Sequence, residues 1–246
     1  MALYFDVQKD CVRAELEKAG LQLPPGCLWH AFQLEFVLEP SEEAESCLRL
    51  SAARYEASLL LPVGRRERLM IIACHMQSDE ALRQAAALLT MLEEELLLSA
   101  SLIFTPGCGD TEQLERELRR LPDASAARRL FYPEKKLFCS SGPELGRLLT
   151  DMNEEKARAY LRDLFGEDIP SLSDDMWETL RGFLAGNMNV SEASRAMYLH
   201  RNTLLYRLDR MVARCGMDPR NFVDASRLQV AHLLLQFLWE KENSLS

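Results

Sequence analysis

The chain has 246 residues, of which 48% are apolar, and its formal net charge is −9. This length fits one large domain or two ordinary ones, and the apolar content supports a core without disulfides. No run of 18 apolar residues occurs, and the segment MALYFDVQKD lacks the basic and apolar regions of a signal peptide. We therefore expect a cytoplasmic protein with no membrane partner.

The seven cysteines form an odd, scattered set without a CxxC pair, and only four histidines accompany them. Such a set predicts reduced, mostly buried thiols, with no metal and no cofactor. Cys108 lies in the turn TPGCGD, residues 105–110, where an exposed redox-active thiol is an alternative. The turn itself predicts a helix capped by Asp110, with anion binding at the helix N-terminus as the weaker alternative.

The first 140 residues combine strand and helix patterns. Apolar and polar residues alternate from Leu28 to Leu38, which predicts a half-buried strand, and a helical piece follows. Two apolar runs, SLLLPV and RLMIIAC, flank the segment Gly64-Arg65-Arg66-Glu67 and predict a β-hairpin. Residues 79–98 predict a helix, SLIFT a strand, residues 110–121 and 124–130 helices, and KKLFC a last strand. The predicted order is βαββαβαβ.

This order resembles the nucleotide-cyclase-like fold of GGDEF domains, an α+β fold with a ferredoxin-like sheet. A working diguanylate cyclase carries a Gly-Gly-Asp/Glu-Glu-Phe hairpin, whereas this chain has VGRRER at residues 63–68. Two-metal phosphoryl chemistry needs clustered carboxylates, and arginines at this hairpin would repel Mg²⁺. We therefore predict a degenerate GGDEF-like α/β domain over residues 1–142 that is not an enzyme and has no catalytic residues. It could still bind a ligand or another subunit.

Residues 143–172 contain apolar residues at helical spacing and include Gly166 and Pro170. They predict a helical connector that would transmit movement between two domains. A helix follows, capped by Ser173 or Asp174 and ending near Gly186, with a stripe formed by Met176, Trp177, Leu180, Phe183 and Leu184.

The segment NMNVSEASRAMYLHRNTLLYRLDRMVAR, residues 187–214, predicts two short helices joined by a tight turn. Asn189 and Glu192 have the spacing of a capping box, so a helix should begin near Val190. Its small residues Ala193 and Ala196, with Met197, should allow close approach of a second helix.

The second helix should be capped by His200 and should bury Leu204, Leu208, Met211, Val212 and Cys215. Its opposite side then carries Asn202, Thr203, Tyr206, Asp209 and Arg210, with Arg201 and Arg207 on the flanks. Beyond Gly216, Asp224 should cap a last helix that either closes the core or meets a partner subunit.

Residues 197–220 contain five arginines and two acids on an otherwise acidic chain. Because phosphate neutralisation supplies much of non-specific DNA affinity, this asymmetry favours a nucleic-acid partner. A solvated amphipathic helix is the simpler alternative, since arginine is a good helix former.

The segment from about Met176 to Phe237 resembles the C-terminal helix-turn-helix domain of PucR/CdaR-family transcriptional regulators. The family motif is close to L-x-V-H-R-N-T-L-x-Y-R-L-x-R-I, and residues 198–211 read YLHRNTLLYRLDRM. The segment is also similar to Fis-type helix-turn-helix proteins, which usually carry Gly where this chain has Tyr198. PucR/CdaR regulators often carry a degenerate GGDEF-like domain before this motif.

The resemblance implies a sequence-specific DNA-binding transcriptional regulator and favours an activator, with residues 173–240 as the all-α DNA-binding domain. Its expected partners are double-stranded DNA, a second copy in a homodimer and an unidentified small-molecule effector. Arg201, Asn202 and Tyr206 should lie nearest the base edges, Arg207 and Arg210 nearest the DNA backbone, and Thr203 could bind a phosphate. The alternative is a ligand-sensing or protein-interaction scaffold whose helix-turn-helix no longer binds DNA.

Overall fold

A computed structural model describes residues 6, 11–75, 78–142, 145–149, 152–166 and 172–244. The chain divides into two compact units, Met1–Arg147 and Leu148–Ser246. This division falls inside the segment 143–172 that we predicted to be a connector. In the described ranges, no helix combines the length and the apolar character needed to cross a membrane.

The first unit is built on a five-stranded mixed sheet. Its elements are α1 (Val12–Lys18), β1 (Leu28–Phe36), α2 (Glu42–Ala52), β2 (Ala57–Gly64), β3 (Glu67–Cys74), α3 (Ser78–Glu94), β4 (Ala100–Phe104), α4 (Thr111–Leu118), α5 (Leu121–Phe131) and β5 (Leu137–Cys139). The strands lie in the order β2-β3-β1-β4-β5. Among the described strands, the β4–β5 pairing is parallel and the other three pairings are antiparallel. The first four strands form a ferredoxin-like βαββαβ unit, as predicted, and β5 extends it.

Strand β1 is central, and its prediction as a half-buried strand was wrong. Every residue from Trp29 to Phe36 is buried. Phe32, Leu34 and Phe36 point into a core shared with α2 and α3, while α4 packs on β1 and α5 on β4 and β5. Alternation of polar and apolar residues does not reveal a second covered face when that face buries polar side chains.

One of those buried polar residues is Glu35, which forms an ion pair with Arg128 of α5. Arg128 Nη2 donates to Glu35 Oε2 at 2.8 Å, and the two side chains are 11% and 9% exposed. The Ser125 hydroxyl donates to Glu35 Oε1. The carboxylate therefore has partners for both oxygens, which a buried charge requires.

The hairpin between β2 and β3 turns at Arg65 and Arg66, as predicted. The side chain of Arg68, near the start of β3, points back toward the hairpin turn. The Arg68 side chain is 11% exposed, pairs with Glu45 of α2, and donates from Nη1 to the carbonyl oxygens of Gly64 and Glu67 at 2.8 Å. This arginine supports the hairpin itself.

The turn before α4 contains the helix cap that the sequence predicted. Asp110 caps the helix by accepting the Gln113 N–H at 2.7 Å. Cys108 is 2% exposed, and its backbone exchanges hydrogen bonds with that of Trp29. Burial, with Glu117 and Asp110 nearby, raises the pKa of the Cys108 thiol to about 12. The reading of Cys108 as an exposed redox thiol was wrong.

The second unit is all helical, as predicted. It contains α6 (Glu154–Phe165), α7 (Asp174–Ala185), α8 (Val190–Ala196), α9 (Arg201–Cys215) and α10 (Phe222–Ser244). Helix α6 lies in the predicted connector, yet it packs on α10 and buries Ala157 and Leu161. Its apolar spacing serves this packing, so α6 is part of the second unit.

Helix α10 contributes many of the buried residues of this unit, including Leu228, Leu234 and Phe237. It is capped by Asn221, whose Oδ1 accepts the N–H groups of Val223 and Asp224. The predicted cap, Asp224, instead accepts the N–H of Asp218. The cap lies three residues earlier than predicted, at Asn221. The chain has already turned at Asp218-Pro219, so the helix can begin before the apolar pattern does.

His232 of α10 stacks on Trp177 of α7, with ring centroids 4.7 Å apart and an interplanar angle of 19°. Burial, reinforced by the charge of Arg181, lowers the pKa of His232 to about 4, although Asp174 acts in the opposite direction. His232 is therefore neutral at physiological pH and behaves as an aromatic packing residue.

Candidate nucleic-acid interface

Helices α7, α8 and α9 form the helix-turn-helix, and they meet at very short range. Phe183, Ala193, Leu204 and Leu208 build their shared core. A Cβ on Gly186 would lie 2.8 Å from the backbone nitrogen of Ala193, so only glycine permits this approach. The predicted packing of Ala196 was wrong, since Ala196 is exposed and Ser194 is buried instead. A helix of seven residues presents only one narrow face to its neighbours.

The side chain of Asn189 caps α8. Its Oδ1 accepts the N–H groups of Ser191 and Glu192, at 2.9 and 3.3 Å. The Asn189 N–H donates to the carbonyl of Gly186 at 2.9 Å. Glu192 is exposed, and the backbone donor that a capping box would give it is already used. The Asn189 side chain therefore caps α8 without the reciprocal bond to Glu192 that would complete a capping box.

The turn between α8 and α9 is a Schellman motif with tyrosine in the glycine position. The Leu199 N–H donates to the Ser194 carbonyl at 2.9 Å and the Tyr198 N–H to the Arg195 carbonyl at 3.2 Å. This pattern requires a left-handed residue between them, and Tyr198 has φ 54°. The turn thus adopts a conformation that usually requires glycine, although Tyr198 carries a Cβ. The tyrosine side chain is 97% exposed.

Helix α9 begins at a histidine cap. His200 Nδ1 accepts the N–H of Asn202 at 3.3 Å, so the ring presents its unprotonated nitrogen to the helix. The His200 carbonyl accepts the N–H of Leu204 and starts the helical ladder. Helix α9 ends at Gly216, which has φ 72°. Both predicted ends of the second helix are therefore occupied by the residues expected there.

The core side of α9 is formed by Leu204, Leu208 and Met211, each 0% exposed. Val212 and Cys215, which were also predicted to be buried, are half-buried. The structure places five of the six predicted DNA-contacting residues on the exposed side, namely Arg201, Asn202, Thr203, Tyr206 and Arg210. Tyr206 is 62% exposed, and the Arg210 guanidinium lies 5.9 Å from the centre of its ring. We call these five residues the α9 face.

Arg207, the sixth, differs from the others. It is half-buried, and its Nη1 donates to the hydroxyl of Thr179 on α7 at 3.4 Å. Thr179 is itself fully buried and donates to the carbonyl of Asp175. Arg207 thus lies at the junction of α9 with α7, beside the α9 face.

Arg220 does not add to the positive charge of the α9 face. Its guanidinium lies 2.8 Å from Asp209 Oδ1 and also 2.8 Å from Asp218 Oδ1. The hydrogen bond from Arg220 holds the pKa of Asp218 below its usual value. Arg220 therefore offsets part of the charge of Asp209 and Asp218, and its own charge is not available to the α9 face.

Sequence reasoning missed Arg195, which is exposed in the last turn of α8. The signal was present, because a residue two positions after the buried Ala193 lies about 200° around a helix from it. The charge count began at Met197 and so left Arg195 out. Arg195 precedes the exposed Tyr198 by three residues, which makes both candidates for contact with the same partner.

Comparison with known proteins identifies this part of the chain. Residues 176–234 match the PucR C-terminal helix-turn-helix domain, which confirms the resemblance drawn from residues 198–211. A stretch of 82 residues is 30% identical to the uncharacterized protein YxkF of Bacillus subtilis (strain 168), and it spans 32% of this chain and 26% of that protein. The chain thus matches about a quarter of the length of this curated relative.

The chain was also compared with solved structures. A regulator of polyketide synthase expression from Bifidobacterium adolescentis aligns over 92% of this chain and 86% of its own, with 20% identity and a TM-score of 0.41.

Proposed function

We propose that the chain is a sequence-specific DNA-binding transcriptional regulator in which α9 is the recognition helix. One observation carries the proposal: in a PucR C-terminal helix-turn-helix domain, the side of α9 opposite its buried leucines exposes cationic and hydrogen-bonding side chains. A recognition helix enters the major groove with its N-terminal residues toward the bases. Arg201, Asn202 and Thr203 occupy the first turn of α9.

Base recognition is assigned to the first two turns of α9. Arginine favours guanine and asparagine favours adenine through paired hydrogen bonds in the major groove. Arg201 and Asn202 would supply these contacts, and Tyr206, one turn further on, would reach an adjacent base. Thr203 could donate its hydroxyl to a phosphate.

Backbone contacts are assigned to residues around this centre. Arg210 is exposed beside Tyr206 and would bind phosphate. Arg207 is restrained by Thr179 and would approach the backbone from the α7 side. Arg195, exposed on α8, extends the cationic surface. The ion pair of Arg220 with Asp209 would reduce repulsion between the α9 face and the DNA.

The proposed active form is a homodimer that binds two half-sites about 34 Å apart, one helical turn of DNA. The resemblance to PucR/CdaR regulators favours activation of transcription. In this proposal the first unit serves effector sensing or subunit pairing and performs no catalysis. Its hairpin carries Arg65 and Arg66 where a diguanylate cyclase holds carboxylates.

Selection of bound sequences from random duplexes by the purified full chain tests the proposal directly. We expect one enriched motif made of two related half-sites. A scaffold with a helix-turn-helix that does not bind DNA would return no enriched motif, and that result would overturn the proposal.

Titration of the selected duplex then tests the α9 face. Asn202→Ala should reduce discrimination between matched and mismatched duplexes by about 1–3 kcal/mol, while Arg210→Ala should weaken binding to all duplexes and reduce the salt slope by about 1. Arg116→Ala is the matched control, because Arg116 is 56% exposed on α4 and pairs with Glu112. Binding equal to wild type in both α9 variants would exclude this surface.

A further inference from the structure

Three side chains with metal-binding chemistry meet at one end of the sheet in the first unit. Cys27 immediately precedes β1, Glu56 precedes β2, and His75 follows β3. The antiparallel pairings of Leu28 with Cys74 and Ala57 with Ala73 bring these strand ends together. The sequence predicted no metal, because residues 27, 56 and 75 have no recognisable ligand spacing.

The distances between the donor atoms are short. Cys27 Sγ lies 3.8 Å from Glu56 Oε2, and His75 Nε2 lies 3.8 Å from Glu56 Oε1. All three ligand atoms fall within 4.8 Å of one another, and among the described residues no other such group of three occurs. Ligands bound tetrahedrally to zinc at about 2.0–2.3 Å lie about 3.3–3.8 Å apart, so a contraction of about 1 Å or less at the widest pair would suffice.

The imidazole of His75 is already oriented for coordination. Its Nδ1 lies 3.0 Å from the carbonyl oxygen of Gly26. Since a carbonyl only accepts, Nδ1 is the donor in this contact, and Nε2, which faces Glu56, is the ring atom available to a metal. A metal-binding histidine is commonly held in this way by a backbone carbonyl. Gly26 has φ 77°, and a Cβ there would lie 3.2 Å from His75 Cε1, so the glycine also makes room for the ring.

We propose that Cys27, Glu56 and His75 form a binding site for a divalent metal ion of the zinc class, with a fourth position open to solvent. Thiolate, imidazole and carboxylate together are typical zinc ligands. Glu56 and His75 are 59% and 64% exposed at their side chains, so an ion can reach them, whereas Cys27 is 5% exposed and closes the inner side. Binding replaces the thiol proton of Cys27 with the metal and releases that proton to water.

The environment of Cys27 gives the ion a clear electrostatic role. The Glu56 carboxylate lies 3.8 Å from the sulfur of Cys27. A bound cation between the two groups would offset the negative charge of Glu56 and stabilise the Cys27 thiolate. It would also join the ends of three strands of the first unit, far along the chain from the helix-turn-helix.

Cobalt binding tests the site, because a thiolate ligand gives Co²⁺ a charge-transfer absorption in the near ultraviolet. We expect the full chain, kept reduced by a phosphine, to develop this band with about one equivalent of Co²⁺ and to lose it when Zn²⁺ is added. Cys27→Ser should abolish the band. Loss of a supporting partner costs about 10–100-fold in metal affinity, so loss of the ligand in His75→Gln should cost at least that much.

The controls separate this site from the other cysteines. Cys47→Ser, which removes a half-buried thiol of α2, should leave the band unchanged. His75→Gln and Glu56→Gln change exposed side chains, so these variants should fold. The proposal is overturned if wild type gives no band, if Cys27→Ser keeps it, or if His75→Gln binds cobalt as tightly as wild type.

Discussion

Each unit contains arginines whose placement contrasts with that of the other. In the first unit, Arg128 and Arg68 are nearly buried and hold Glu35 and Glu45. In the second unit, Arg201 and Arg210 of α9 are exposed. Both uses rely on a charge that stays on at every physiological pH. An arginine-rich segment therefore indicates a nucleic-acid surface only when the side chains remain available after the acids of the same unit have been paired.

The sharpest way to test this contrast is to remove one arginine of each kind. Arg128→Ala should lower the free energy of unfolding by about 3–5 kcal/mol, because it removes the buried partner of Glu35 and leaves the more exposed Arg129, 3.6 Å from Glu35 Oε1, beside the carboxylate. Arg210→Ala should change it by less than about 1 kcal/mol, since exposed cation–π contacts contribute little. Urea unfolding of both variants measures these free energies, and equal losses of stability would contradict the contrast between the two arginines.

A second test asks whether a substitution at the close approach of α7 and α8 affects the second unit alone. Gly186→Ala should cost about 1–3 kcal/mol, because the new Cβ would meet the backbone of Ala193 at 2.8 Å. Gly109→Ala in the first unit is the control, since its Cβ would meet Gln113 at an ordinary 3.5 Å. Hydrogen exchange resolved by peptide should show lost protection in α7–α9 for Gly186→Ala alone. Equal loss in β1 would show that the two units unfold together.

A third test uses the stacked histidine. The pKa of His232 is lowered to about 4 in the folded chain, whereas an unfolded histidine titrates near 6.5. Between these values the unfolded chain binds more protons, so stability is fully present above about pH 6.5 and falls as the pH drops towards 4. At pH 5.5 this loss is at most about 1.4 kcal/mol.

The variant His232→Gln isolates this contribution. It should flatten the pH dependence of exchange in α7 and α10 while leaving that of β1 and β3 unchanged. A pH dependence identical to wild type in all four elements would contradict the assignment to His232.

The smallest expected effect lies at the turn of the helix-turn-helix. Tyr198→Gly should relieve a left-handed conformation that costs about 1–2 kcal/mol, and the greater freedom of glycine in the unfolded chain offsets part of that gain. We expect a net rise in stability of less than about 1 kcal/mol, measured by thermal unfolding. Asn187→Gly is the control, since Asn187 has φ 52° and asparagine tolerates this conformation well. A clear loss of stability in Tyr198→Gly would mean that the tyrosine ring makes a stabilising contact.

Local patterns in the sequence determined much of the fold. Helix periodicity identified the buried side of α9 through Leu204, Leu208 and Met211, and the apolar runs beside Arg65 and Arg66 identified the β2–β3 hairpin. The error at β1 came from long-range packing. The coverage of β1 on both faces depends on helices that follow it in sequence, and no pattern within β1 reveals them.

The candidate interface was predicted to a similar degree and with similar gaps. Side-chain spacing sufficed to group Arg201, Asn202, Tyr206 and Arg210 on one side of a helix. It could not show that Arg207 contacts Thr179, or that Arg220 pairs with Asp209. Both contacts depend on where α7 and the segment after α9 lie in space, which helix periodicity does not specify.

Tyr198 and Tyr206 are 97% and 62% exposed, so the helix-turn-helix contains two sites for chemical labelling. Phenol rings in contact with solvent can be iodinated or nitrated, and a bound duplex would shield rings on the α9 face from the reagent. Tyr160 on α6, which is 37% exposed, provides an internal reference outside this surface. The pattern of tyrosine modification would therefore map the bound side of the domain without any substitution in the chain.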